Sequence, residues 1–372
     1  MQKTAYILLV RLMRIFKITD IKRILLYFLF SVITCGLVLL FPKCSANGVS
    51  KGIEFCLNVL VPSLFPFMVL SSFIITSGVY RIFSKPLGVV TRILFKLPAE
   101  CGSAVLLSLI GGYPVGARSI GSLYHNGVIN NKQAEKMAYF CVCSGPGFLI
   151  TFVGSTLYSN IEIGIILLIS SVISVIICGI ITRFTFKTNI QTENNSIIEN
   201  TRNINFSASL IKSVSDGTKA IVYMCSMVVV FNVLISFTDL LINNKNIQNL
   251  SYILFEVTTA CNNLSGNTSV TVVAFAIGFG GLCVHFQIFQ GIKDININKW
   301  LFFLYRILQG IITAFTTKIL LYFFPITKQV FNNMQNKTVV FSSSNCLGSL
   351  MLLITAVCFL YSIKLSNNKI GG

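Results

Sequence analysis

The sequence predicts an all-α polytopic membrane protein of two inverted repeats, each with about three transmembrane helices and a re-entrant or broken helix hairpin. Three observations carry that prediction. Apolar residues make up 54% of the 372-residue chain and charged residues only 11%, with a mean hydropathy of +0.79. That leaves too little polar surface to clothe a water-soluble globule. Apolar runs long enough for spans of about 20 residues recur along the chain. A loaded glycine motif is used twice: GGYPVGAR opens at Gly111-Gly112, and GGLCVHFQ opens 169 residues later at Gly280-Gly281. Paired, glycine-broken apolar segments point to a substrate site between two halves of a transporter.

The net charge of +18, from 29 basic and 11 acidic residues, sits mostly in the gaps between apolar runs. Its role there is topological, holding loops on the cytoplasmic side against anionic lipids, and nucleic acid is not an expected partner. Of the twelve cysteines, Cys35, Cys56, Cys178, Cys225 and Cys358 lie in apolar stretches as small hydrophobes. Cys141 and Cys143 form a lone CxC without a second pair, so neither a metal site nor a cofactor is expected.

Residues 1–48 form a basic N-terminal segment and the first span, Ile24–Phe41. Ser45 and Ala46 would suit a signal-peptide cleavage site, but the long basic lead fits an uncleaved anchor with a cytoplasmic N-terminus. Residues 49–184 form the first repeat. Gly52–Ile75 returns to the cytoplasm, where Arg81, Lys85, Arg92 and Lys96 lead to Pro98. Ala99–Ile110 is too short to cross, and Arg118, Lys132 and Lys136 follow it, so a re-entrant hairpin is expected. Ala138–Val153 crosses outward, interrupted at Ser144-Gly145-Pro146-Gly147, and Ile163–Ile181 comes back. Residues 185–215 form a polar cytoplasmic linker.

Residues 216–372 repeat the scheme with Ala220–Phe237, a broken region over Ser251–Phe279, Trp300–Phe324 and Leu347–Leu365. The sum is seven spans and two hairpins, and three crossings per unit invert the second unit. This places Lys364 and Lys369 outside, against the charge rule; an eighth crossing in place of one hairpin would remove the conflict.

The broken segments are the candidate substrate site. Gly111, Gly112, Tyr113, Pro114 and Gly116 cannot form a continuous helix, and Ser144, Gly145 and Pro146 offer a second break. Such breaks free peptide groups and aim helix N-termini at anions. Gly280 and Gly281 repeat the first break. A single glycine or proline would equally mark a kink or close crossing. Arg118 ends the first motif where Gln287 ends the second. An arginine at the bilayer centre costs about 2.5 to 3.5 kcal/mol, so Arg118 either meets a substrate carboxylate or anchors the hairpin at the surface. Asn262, Asn263, Ser265, Asn267 and Thr268 add donors and acceptors in a stretch too polar for a lipid-facing helix.

Glu256 and His285 are candidates for ion or proton coupling. An intramembrane acid is a functional candidate and could instead pair with Arg118 or Arg306, while Glu100 after Pro98 fits a solvated helix start. His285 lies inside the second motif; the alternative for it and for His125 is a satisfied structural histidine. Ser119 in ARSIG has no preceding strand, so no catalytic residues are assigned and an enzyme is not expected.

GGYPVGAR, with Gly127-Val128-Ile129, Ala134 and FCVCSGPGF over Phe140–Phe148, resembles the YlbJ/SpoVV family of sporulation integral membrane proteins. FEVT at Phe255–Thr258 and GFGGLCVHFQ at Gly278–Gln287 resemble the family's second half. The resemblance runs from about residue 50 onward. The family falls in the nucleoside-recognition or Gate-domain group, which is similar to concentrative nucleoside transporters and to the membrane gates of ferrous-iron transporters.

The resemblance implies a place in endospore formation and passage of dipicolinic acid across a forespore membrane. A small aromatic dianion suits an arginine, helix N-termini and Asn or Ser donors beside Tyr113 and Phe148. The expected function is therefore a secondary transporter of a small anionic solute, most plainly dipicolinate. A non-transporting gate or scaffold subunit and a nucleoside transporter stand as alternatives. Expected partners are that substrate, anionic lipids, and a homo-oligomer or other sporulation membrane proteins.

Overall fold

A computed structural model of the chain describes residues 18–186, 206–326, 351, 354 and 355. The expected basic lead over residues 1–17, the central linker at 187–205, all but three residues of Leu347–Leu365, and the Lys369 tail lie outside the described residues. Among the described residues every regular element is helical.

The first half comprises α1 (Ile18–Leu40), α2 (Pro42–Phe55), α3 (Val61–Thr76), α4 (Tyr80–Val90), α5 (Cys101–Gly111), α6 (Tyr113–His125), α7 (Asn131–Phe140) and α8 (Ile161–Thr185). The second comprises α9 (Phe206–Leu241), α10 (Lys245–Phe255), α11 (Val257–Leu264), α12 (Val270–Phe279), α13 (Gly281–Gly291) and α14 (Lys299–Phe323). Wide π turns occupy Cys56–Leu60, Thr91–Phe95 and Gly147–Leu157. Among the described residues, five stretches are long and apolar enough to cross a membrane: Pro42–Thr76, Ile161–Thr185, Phe206–Leu241, Val270–Gly291 and Lys299–Phe323.

Pro42 sits in the first turn of α2, where a missing N–H costs nothing, and the helix continues through the first π turn into α3. This 35-residue rod is longer than the expected Gly52–Ile75 and packs against α9, of 36 residues. Small residues set the crossing. A Cβ on Gly52 would lie 2.9 Å from the Val229 Cα, and one on Gly48 would lie 2.8 Å from the Val233 Cα. Glycine there lets the backbones approach. At the same crossing the Cys56 thiol donates to the Cys225 carbonyl at 3.7 Å, two positions 169 residues apart.

The rest of the core joins the halves more deeply. α12 packs on α14, α14 on α8, and α6 on α13. Where α6 meets α13, a Cβ on Gly121 would lie 2.4 Å from the Gly291 carbonyl oxygen. A polar clasp closes one end. His125 Nε2 lies 2.9 Å from Asp294 Oδ2, again positions 169 apart. The Asn131 side chain donates to the Asn296 carbonyl and accepts from the Asn296 N–H, both at 2.9 Å. Glu135 accepts from the Asn298 N–H at 3.2 Å and from the Tyr139 hydroxyl at 2.6 Å.

Three expected segments differ from what is observed. Ala138–Val153 is interrupted as expected, but the break starts earlier: α7 stops at Phe140, residues 141–145 are irregular, and helix resumes at Pro146 and continues as a π-helical segment from Gly147. Pro146 has no N–H to continue a ladder, and Gly145 packs on another backbone. Ser251–Phe279 is not a single broken hairpin but α10, α11 and α12 in succession, with α12 and α13 together reaching span length. The Asn-rich stretch expected to be irregular is helical through Leu264, because Asn262 and Asn263 face a cavity rather than lipid. For the expected first hairpin, α5 and α6 pack against each other about Gly112.

Candidate functional site

The glycines of both motifs take conformations that side chains resist. Gly112 has φ +78 and ψ −167, and Gly280 and Gly281 have φ +87 and +72. Each break ends one helix and starts the next, leaving carbonyls without an intrahelical donor. Gly112 also meets the second break directly. A Cβ on it would lie 3.0 Å from the Gly145 nitrogen, and one on Gly145 would lie 3.1 Å from the Gly112 nitrogen and the Ile110 carbonyl oxygen. Gly111 packs on Val115, and Gly116 packs on Ser108 and the Cys141 carbonyl. Ser108 donates to that same carbonyl at 3.0 Å.

Arg306, on α14, fills the point where these breaks converge and is fully buried. Its guanidinium donates to the carbonyls of Phe279 (3.2 Å), Gly278 (2.6 Å) and Val142 (2.7 Å), and to Gln309 Oε1 (2.6 Å). Two of those carbonyls end α12, and Val142 belongs to the irregular 141–145 stretch. The charge thus satisfies the acceptors that the breaks release. Among the described residues it has no carboxylate within ion-pair distance. The Tyr113 ring lies 5.5 Å away. The Tyr113 hydroxyl donates to the Ile277 carbonyl and accepts from the Ser144 hydroxyl at 2.6 Å. Tyr113, from the first motif, is thereby tied to the end of α12 in the second half.

His285 is buried beside this cluster, its Nε2–H donating to the Phe279 carbonyl at 2.9 Å, the same oxygen that Arg306 uses. Because a carbonyl only accepts, that nitrogen carries the proton. The rings of Phe279, Phe302 and Phe303 meet the imidazole edge to face.

Arg118 and Gln287 do not face each other in this cluster. Arg118 is half-buried and donates to the Asp216 carbonyl on α9 at 2.9 Å, while Gln287 turns back to Cys283 on its own helix at 3.3 Å. Glu256 is buried, but no basic side chain lies within ion-pair distance of it among the described residues. It caps α11, accepting from the N–H groups of Thr258 (3.0 Å) and Thr259 (2.6 Å) and from the Thr258 hydroxyl. Gly281 backs onto it: a Cβ there would lie 3.2 Å from the Glu256 nitrogen. Asn262 and Asn263 line a separate cavity. Ser265 donates to the Cys261 carbonyl at 2.5 Å, and Asn267 to the Asn263 carbonyl at 2.9 Å. Pro114 is half-buried in the first turn of α6.

The residue that sequence reasoning used least is Arg306, named only as a partner for an acid. Its signal was present: one arginine inside the apolar run Trp300–Phe324, with Gln309 one turn on.

The chain is an integral membrane protein whose interior is organised by broken helices. It is similar to the "Sporulation integral membrane protein YlbJ" of Bacillus subtilis (strain 168), 26% identical over 328 residues, covering 77% of this chain and 79% of that protein. The similarity spans most of both chains and supports the YlbJ family resemblance carried by the glycine motifs. No family model and no solved structure matches the chain.

Proposed function

We propose that the protein is a secondary transporter of a small anionic solute, dipicolinate foremost, moving it across a forespore membrane during sporulation. The observation that carries this reading is Arg306. A buried guanidinium held only by uncharged acceptors retains its positive charge for a partner, and an exchange of carbonyls for a carboxylate is the step an anion carrier needs. All of its backbone partners come from the two breaks, so an arriving anion would loosen both at once. The Tyr113 ring gives an aromatic dianion a face, and the Ser144 hydroxyl becomes a donor to it on turning away from the Tyr113 hydroxyl.

The sporulation setting comes from the name of the Bacillus subtilis relative. Chemistry on the solute is not part of this reading, nor is a bound cofactor. Anionic lipids at basic loops, a homo-oligomer and other sporulation membrane proteins are its proposed partners. The non-transporting gate or scaffold reading draws on one specific observation, the complete burial of the cluster, which would suit a permanent staple.

Uptake of labelled dipicolinate into proteoliposomes tests this, with Arg306→Lys and Tyr113→Phe inserted at equal level and a nucleoside as control solute. The expected result is saturable dipicolinate entry, lowered at least tenfold by Arg306→Lys, since an ammonium cannot reproduce the planar fork. Absence of entry with correctly folded protein would favour the gate or scaffold. Entry of the nucleoside alone would overturn the substrate.

A further inference from the structure

A cavity of about 380 Å³ opens between α2, α9 and α11. Polar residues converge on it: Glu54 on α2 and Asn58 on the π turn that follows it, Asn232 and Asp239 on α9, and Asn262 and Asn263 on α11. In a chain this apolar, three converging polar faces line water rather than lipid. At about 30 Å³ per water, the space holds on the order of ten.

The repeat register shows that the cavity is not a by-product of the architecture. The contacts of Cys56 with Cys225 and of His125 with Asp294 both join positions 169 apart, the spacing of the glycine motifs. A residue that touches its own counterpart lies on the axis relating the two halves. Displaced by that spacing, Asn58 becomes Met227, Asp239 becomes Leu70, Asn262 becomes Ile93 and Asn263 becomes Leu94. Glu54 becomes Tyr223 and Asn232 becomes Ser63, so the equivalent place in the other half keeps two hydroxyls but none of the carboxylates or amides that line this cavity.

We propose that this cavity admits a small hydrated monovalent cation, of which Na⁺ is the probe, and that it is the entry for a coupling ion; this rests on the transport reading above. Glu54 and Asp239 outnumber Lys51 among the lining charges. A carboxylate dianion is repelled there, so the solute's own path lies elsewhere, whereas carboxylate and amide oxygens suit a hard cation. No group of three or more acid, thiol or imidazole side chains among the described residues forms a metal cage. The ion therefore keeps water, as a weakly held monovalent cation does. A polar bridge leads inward: Asn232 and Thr259 line the cavity, and the Thr259 hydroxyl donates to Asn232 Oδ1 at 3.1 Å. The Thr259 N–H in turn donates to Glu256, which adjoins Gly281 of the second glycine motif.

The test replaces two lining residues with those the other half carries, Asn262→Ile together with Asn263→Leu. Thermal unfolding of the purified full chain is followed while NaCl replaces choline chloride at constant ionic strength. Wild type is expected to gain stability saturably with Na⁺, and the double variant to need at least tenfold more Na⁺ for the same gain. An identical Na⁺ response in both, or no Na⁺-specific response in wild type, overturns the cation site. In proteoliposomes the variant is expected to lose stimulation of dipicolinate entry by a Na⁺ gradient. If dipicolinate never enters but the Na⁺ response is present and lost in the variant, the transport reading falls and the cation site stands.

Discussion

Replacing Gly112 with alanine tests whether the two breaks are held together by backbone contact. At φ +78 and ψ −167 the position lies where side chains are almost never found, at a cost of about 1–3 kcal/mol. The new Cβ would also stand 3.0 Å from the Gly145 nitrogen. That neighbour is main chain and cannot swing aside, which adds about 1–3 kcal/mol of overpacking. The expected loss is about 3 kcal/mol or more. Gly266→Ala is the control, because Gly266 has φ +77 with nothing within 4 Å of its added Cβ. It carries only the backbone term, about 1 kcal/mol. At roughly 2 °C per kcal/mol, Gly112→Ala should unfold about 6 °C below wild type in detergent and Gly266→Ala about 2 °C below. Gly145→Ala should lose less than Gly112→Ala, because Gly145 is not at positive φ and carries only the packing term, and the double variant should lose less than the sum, because both methyls enter one gap. Equal shifts for Gly112→Ala and Gly266→Ala, or full additivity of the pair, would refute the reasoning.

Two further outcomes are expected. Arg306→Met removes four hydrogen bonds but strands chiefly two acceptors, since the Phe279 carbonyl keeps His285 and the Val142 carbonyl keeps Gln309. Those two cost about 1–3 kcal/mol each and are partly offset by no longer burying a charge. The variant should therefore insert and unfold within about 3 kcal/mol of wild type by SDS titration while losing dipicolinate entry. Asn131→Ala removes the acceptor of the Asn296 N–H. Hydrogen exchange over residues 292–298 should quicken about tenfold, the worth of one net hydrogen bond, while exchange within α14 stays unchanged.

Much of the fold was legible because it depends on local chemistry. Apolar runs gave the rods, and the paired glycines marked breaks that the positive φ values at Gly112, Gly280 and Gly281 account for. Helix limits were harder to read: the second span was expected to start at Gly52, yet α2 begins at Pro42 and runs through Ser45 and Ala46, because Gly48 and Gly52 pack on α9. Asn262 and Asn263 read as irregular because a helix seemed bound to show them to lipid. Only tertiary packing reveals the cavity that receives them. Arg306 could be singled out as an intramembrane charge, but its partners at 142, 278 and 279 are far off in the chain and are backbone groups. No side-chain pattern announces a carbonyl.

Positions that touch their own counterpart obey a rule of their own. If the halves were separate identical chains, position 125 would face a second copy of itself, and only side chains that tolerate their own kind would suit it. Cys56 and Cys225 still satisfy that condition. His125 and Asp294 do not: they are opposite in character, and their contact exists only because one chain carries both. On a single chain the two positions need not match. The same freedom placed asparagines at 262 and 263 where the other half has Ile93 and Leu94. An identical pair would carry the same residues at both places, whereas this single chain carries amides at one and apolar side chains at the other.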